Sequence, residues 1–182
     1  ASYAAGKPDW ETLLDVDALD ASEKENWVYQ SVECLAPDYL TCLIELSRGG
    51  TDASVYREFS IAQGRFVADG FVIPEAKSSV DWIDQDHLLV ATDWGPDSLT
   101  ESGYAKTLKI VERGKPLAEA KTVYTAQSTD VSVQPLVRRD RHRTSPFLLR
   151  AITFFNYEYF LIGDDGRAHM VEVAVRGQEL RQ

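Results

Sequence analysis

Three histidines, two cysteines and a cluster of carboxylates are the residues of this sequence whose chemistry could reach beyond folding. His87 follows the polar turn "DQD" and opens a strand, His169 follows "GDDGR" in a hairpin, and His142 sits inside "RRDRHR". A triad base needs a nucleophile beside it and an acid behind it, and the sequence contains no G-x-S-x-G elbow to supply the nucleophile. His87 and His169 therefore read as surface histidines. No two histidines stand at i, i+4, and the cysteines have no nearby histidine pair, so neither pattern builds a tetrahedral zinc site. The carboxylates of "DVDALDASE" (residues 15–23) lack the central Gly and distal bidentate Glu of a calcium loop and read as a solvated acidic turn. The expectation is a chain with no catalytic residue, no metal and no cofactor of its own.

Composition narrows the partners. With 29 acidic residues against 19 Lys and Arg the formal net charge is −10, which repels nucleic acid and anionic membrane at long range. The basic run at residues 138–143 could touch phosphate, but it is one loop without interleaved aromatics. Neither nucleic acid nor membrane is expected as a partner. No apolar run approaches the roughly 20 residues that cross a bilayer as a helix. The 182 residues, 44% of them hydrophobic, suffice for a sizeable core in one segment spanning 1–182. The first residue is Ala1 and the sole methionine is Met170, so the chain reads as a piece of a longer protein. It carries no visible targeting signal, and cytoplasmic and periplasmic locations both stay open.

Strands must position these residues. Period-two alternation and short apolar runs recur, whereas no segment of a dozen residues keeps apolar positions at i, i+3, i+4 and i+7 between caps. The expectation is all-β, without a helix. Strands are expected over residues 11–16, 27–35, 40–47, 54–61, 65–72, 80–83, 87–92, 106–112, 122–125, 131–137, 147–155, 159–162 and 168–175. Gly, Pro and Asp cluster between many of them as turn signals. The segments "CLAPDYLTC" (residues 34–42) and "WIDQDHLLV" (residues 82–90) superpose at an offset of 82 − 34 = 48, close to the roughly 40 to 50 residues of a four-stranded propeller blade. A degenerate third copy begins near Val131, its turn replaced by the insertion "RRDRHRTSP". Propellers hold roughly 4 to 8 blades. The length therefore implies a partial β-propeller of about three to four blades of four-stranded antiparallel sheet, with residues 11–16 closing a blade begun upstream.

The phrases "GKPDWETLLDVDAL" (residues 6–19), "LSRGGTDASVYREF" (46–59), "FVIPEAKSSVDWID" (71–84), "ATDWGPDSLTESGYAKTLK" (91–109) and "RGKPLAEAKTVY" (113–124) carry a more specific signal. Together they resemble the N-terminal β-propeller of bacterial serine peptidases of the prolyl oligopeptidase family, over residues 6 to about 175. Ala105 departs from the pattern, since Pro more typically follows "SGY", and residues 138–143 are unusually basic. The resemblance implies a non-catalytic propeller that gates the access of short peptides to an α/β-hydrolase domain, which would be its partner, with peptides as the substrates of the whole enzyme. The alternative is a free-standing β-scaffold that binds a protein or peptide. A cut ring would also expose strand edges and apolar blade faces, so self-association is expected of the isolated chain.

Three local features complete the expectations. The polar stretch "DWGPDSLTESGY" (residues 93–104) joins the second and third strands of its blade, and the resemblance implies that Glu101, Ser102 and Tyr104 lie at the domain interface or tunnel mouth. Cys34 and Cys42 stand symmetrically about Asp38 in a hairpin, so they face one another across an antiparallel pair, within disulfide reach. An exported protein would bridge them, and a cytosolic one would keep both thiols reduced. The aromatic run "FFNYEYF" (residues 154–160) reads as a strand packing both faces between adjacent blades.

Overall fold

The computed structural model describes residues 4, 6, 10–141 and 143–171. They fall into two compact units, Ala1–Ala76 and Lys77–Gln182. The first begins with a helix where a strand and an acidic turn were expected. Residues 11–15 form no strand, and α1 spans Val16–Glu23. Asp15 is its N-cap, its carboxylate accepting the Ala18 N–H at 3.0 Å, and Lys24 ends it in the left-handed region at φ 57°. Two other acids of the run are occupied as well. Asp20 accepts the Trp27 N–H at 2.7 Å, and Glu23 accepts the Trp27 indole N–H at 2.8 Å and Arg57 at 2.9 Å. Eight residues give only two turns, too few for a helical period to show, and α1 is held by packing Val16 and Leu19 on the cluster of Trp27, Ile44, Leu46, Val55 and Phe59.

That cluster belongs to an antiparallel meander of β1 (Trp27–Cys34), β2 (Thr41–Arg48) and β3 (Ser54–Ser60). The fourth position of this sheet is broken into β4 (Arg65–Phe66) and β5 (Val72–Ala76), both paired to β3, where one strand over 65–72 was expected. Gly70 lies in the break. A Cβ there would stand 2.8 Å from the side chains of Glu58 and Val67, so the backbone passes where only glycine fits. Glu58, 5% exposed, fastens the break by accepting the Phe71 N–H at 2.7 Å.

The second unit holds two regular four-stranded meanders. One is β6 (Ser79–Asp84), β7 (His87–Ala91), β8 (Thr107–Glu112) and β9 (Lys121–Thr125), and the other is β10 (Ser132–Arg139), β11 (Thr144–Ala151), β12 (Tyr157–Ile162) and β13 (Ala168–Met170). The expected strand over 168–175 ends at Met170, and residues 172–175 lie outside the described residues. Leu88, Leu89 and Val90 are all fully buried, as a run without alternation requires. Leu89, Ala91 and Leu108 of one sheet share a cluster with Val133, Val137, Leu148 and Phe160 of the other.

Two readings of the third meander change. The run "RRDRHRTSP" is no insertion, because Arg139 pairs with Thr144 across the tight tip of the β10–β11 hairpin. The strand expected to reach Phe155 stops at Ala151, and Phe154 and Phe155 stand in a turn, 77% and 91% exposed. Of "FFNYEYF" only Phe160 is buried, its ring 4.9 Å from that of Tyr124. High strand propensity concealed the turn, whose signal is Thr153 and Asn156 rather than Gly or Pro.

Candidate functional site

In an antiparallel meander the connection between strands two and three and the crossing to the next sheet leave from the same end. Residues 92–106 join β7 to β8 at that end. They fold as a small hairpin of their own, with a Leu99–Ala105 bridge and a Thr100 N–H to Tyr104 O bond of 2.8 Å. The approach is fixed by Asp93, whose carboxylate accepts the Gly95 N–H at 2.9 Å, and by Ser98, which accepts the Trp94 N–H at 2.8 Å. Trp94 donates its indole N–H to Thr107 O at 3.1 Å, with Lys109 above its ring. The segment is therefore a built feature, not a slack loop.

The hairpin is pinned to the crossing between the sheets. Thr100 and Ser102 each donate a hydroxyl to Val131 O at 3.1 Å, and the Glu101 N–H donates to Ser128 O at 2.8 Å. Ala105 O accepts the Val133 N–H at 2.9 Å, and the Ala126 N–H donates to Lys106 O at 2.8 Å. Thr100 and Ala105 are buried, whereas Glu101 and Tyr104 are exposed, the latter with Lys77 over its ring at 5.0 Å. The structure thus separates the three named residues: the Ser102 hydroxyl is taken up in anchoring, and Glu101 and Tyr104 face solvent.

Beneath the hairpin lies a charged network that spacing in the sequence did not reveal. Arg150 reaches Asp130 with two parallel bonds, 2.8 and 3.0 Å, and Glu158 with a third of 3.0 Å. Asp130, with its side chain 3% exposed, also accepts the Gln127 N–H at 2.8 Å. Burial alone would raise its carboxyl, but Arg150 and the Gln127 N–H together bring it below the usual range. Asp81 on β6 is the counterexample. One of its oxygens accepts the Val137 N–H at 2.6 Å, while the other has no hydrogen-bond donor and stands 4.0 Å from Arg139, which instead donates to Trp82 O. Burial pushes this carboxyl up against the opposing pull of Val137 and Arg139.

His87 pairs with Asp84 at 2.9 Å and His169 with Asp165 at 3.2 Å, both at exposed turns, and His142 lies outside the described residues. Among the described residues no three His, Cys, Asp or Glu side chains cluster as metal ligands. A cleft of about 430 Å³ lined by His87, Glu112, Lys115 and Lys121 contains no hydroxyl or thiol. Cys34 lies opposite Cys42 in the β1–β2 register, and the two are joined as a disulfide.

Sequential four-stranded meanders of this kind define a partial β-propeller. Residues 1–144 match the family of the prolyl oligopeptidase N-terminal β-propeller domain, and the chain belongs to that family. It is 45% identical over 159 residues to the uncharacterized peptidase y4nA of Sinorhizobium fredii, covering 86% of this chain and 22% of the relative. A post-proline cleaving enzyme from Rickettsia typhi superposes with a TM-score of 0.81 at 25% identity, over 88% of this chain and 25% of that one. Oligopeptidase B from Leishmania major shares the fold at a TM-score of 0.63 and 12% identity, over 88% and 22%. The chain spans about a quarter of the length of these relatives.

Proposed function

We propose that the chain is the non-catalytic propeller segment of a prolyl oligopeptidase-like serine peptidase, gating short peptides toward a hydrolase domain elsewhere in the longer protein. The family match over residues 1–144 carries this reading. Its support in chemistry is that a sequence without a nucleophile elbow contributes to peptide hydrolysis by shaping access. In the full-length peptidase Glu101 and Tyr104 contact the hydrolase domain or the tunnel mouth, held in place by the anchors of Thr100 and Ser102. Replacing both by Ala should change kcat/KM for peptides several-fold, on the order of 1 kcal/mol in transition-state stabilisation, at an unchanged melting temperature. Unchanged kinetics would reduce the hairpin to a connector.

The exposed first strand favours a second reading. Among the described residues β1 pairs only with β2, and it leaves Val28, Tyr29 and Val32 open to solvent, as a β-scaffold that binds another chain by strand addition, or pairs with its own copy, would. The reading frame decides between the two. A G-x-S-x-G elbow followed by Asp and His downstream of Gln182 supports the peptidase, and a natural stop codon there removes it.

A further inference from the structure

The connection between the second and third strands of the last meander differs from its counterpart in residues 92–106. It comprises residues 152–156 and is stiffly made. Ile152 N–H donates to Asn156 O at 3.0 Å, and Thr153 Oγ1 accepts the N–H groups of Phe155 and Asn156 at 3.2 and 3.1 Å. The Tyr157 hydroxyl donates to Phe154 O at 2.7 Å. These bonds hold two adjacent aromatic rings out into water, Phe154 at 77% and Phe155 at 91% exposure. Large aromatic side chains on a fixed backbone are what interface anchors are made of, since their burial is favourable and little conformational freedom is lost.

Position says which surface they serve. The turn lies beyond the last paired residues, Ala151 and Tyr157, so it projects from the end of the sheet and not from the face on which a neighbouring blade stacks. Val131 joins it to the hairpin described above: its N–H donates to Ala151 O at 2.8 Å while its carbonyl accepts the Thr100 and Ser102 hydroxyls. Tyr104 and Tyr157, 41% and 47% exposed, extend the aromatic surface. One end of these two sheets thus presents aromatic rings on a hydrogen-bonded frame.

We propose that Phe154 and Phe155 form an interdomain anchor, inserting into an apolar cleft on the hydrolase domain of the longer protein. The proposal rests on the function given above. The chain spans only 22% and 25% of its relatives, so most of their polypeptide lies outside this region. A domain seated on the blade ends meets an end-on projection, whereas a further blade meets the sheet faces.

The test uses the full-length protein with a benzophenone-bearing phenylalanine placed at position 154 and, separately, at 155. After illumination, crosslinks should map to the hydrolase domain. The double variant Phe154→Ser/Phe155→Ser should lose at least about fivefold in kcat/KM for peptides. In a full-length protein that hydrolyses peptides, no crosslink, or crosslinks confined to propeller residues or to a second copy, overturn the anchor and leave the function standing. A full-length protein without a hydrolase domain overturns the function itself.

Discussion

Asp130, on the crossing between the two sheets, and Asp81, midway along β6, are carboxylates that are treated differently. At the loop end Asp130 accepts two bonds from Arg150 and one from a backbone N–H, and Glu158 takes the remaining reach of the guanidinium. In mid-strand Asp81 accepts the Val137 N–H through one oxygen and leaves the other without a donor. A half-satisfied buried carboxylate is a weak fastening, and a fully satisfied one fixes its surroundings. The end that carries Tyr104, Phe154 and Phe155 is thus the one held in a single shape, as a docking surface requires.

The comparison is broken most severely at Arg150. Arg150→Ala leaves Asp130 buried with its principal partner gone, and should cost about 3 kcal/mol, near the lower bound for removing one member of a buried pair. Arg150→Lys should recover part of this, since an ammonium keeps the charge but loses the planar fork. Urea denaturation of both variants measures the difference. The β1–β2 hairpin of the first sheet gives the next effect. Reducing the Cys34–Cys42 disulfide should lower stability by roughly 2 kcal/mol on the chain-entropy model, at the low end because the loop is short. Mass spectrometry after alkylation of unfolded, unreduced protein must first find both thiols unlabelled.

Asp81 gives the smallest effect and sharpens the contrast through pH. Its carboxyl is raised in the folded state, so the native protein holds the proton more tightly than the unfolded chain. Stability must therefore fall as pH rises through a window that opens at the ordinary carboxylate value, about 4, and closes at the raised one. Asp130 has the opposite sign, its contribution being present above the ordinary value and lost as the pH falls toward its lowered one. As the pH rises above about 4, the stability of Asp81→Asn should rise relative to that of the native protein. Parallel stability curves for the two would remove the assigned cost of Asp81.

Much of this architecture was legible in the sequence because alternation and turn chemistry agree there. Val80 and Trp82 alternate ahead of the "DQD" turn, and Leu88 to Val90 run together behind it, so the β6–β7 hairpin follows from local rules. The repeat at an offset of 48 aligned the first hairpins of two sheets although their turns differ in length. The misreadings arise where local and tertiary signals part. α1 is too short to show a period and is fixed by Trp27 and Arg57 from elsewhere in the chain. Phe154 and Phe155 favour a strand by propensity, yet Thr153 turns the backbone before them. The Asp130, Arg150 and Glu158 network could not be read from spacing, because it joins a crossing, a strand end and a strand start that only the meander brings together.

The central claim is that this propeller governs which peptides reach a catalytic centre. It is tested most directly by kcat/KM of the full-length protein for a short peptide and for the same cleavable sequence embedded in a long, unfolded polypeptide. The account predicts that the short peptide is preferred by at least about tenfold, roughly 1.4 kcal/mol. Equal values for the two substrates would contradict it.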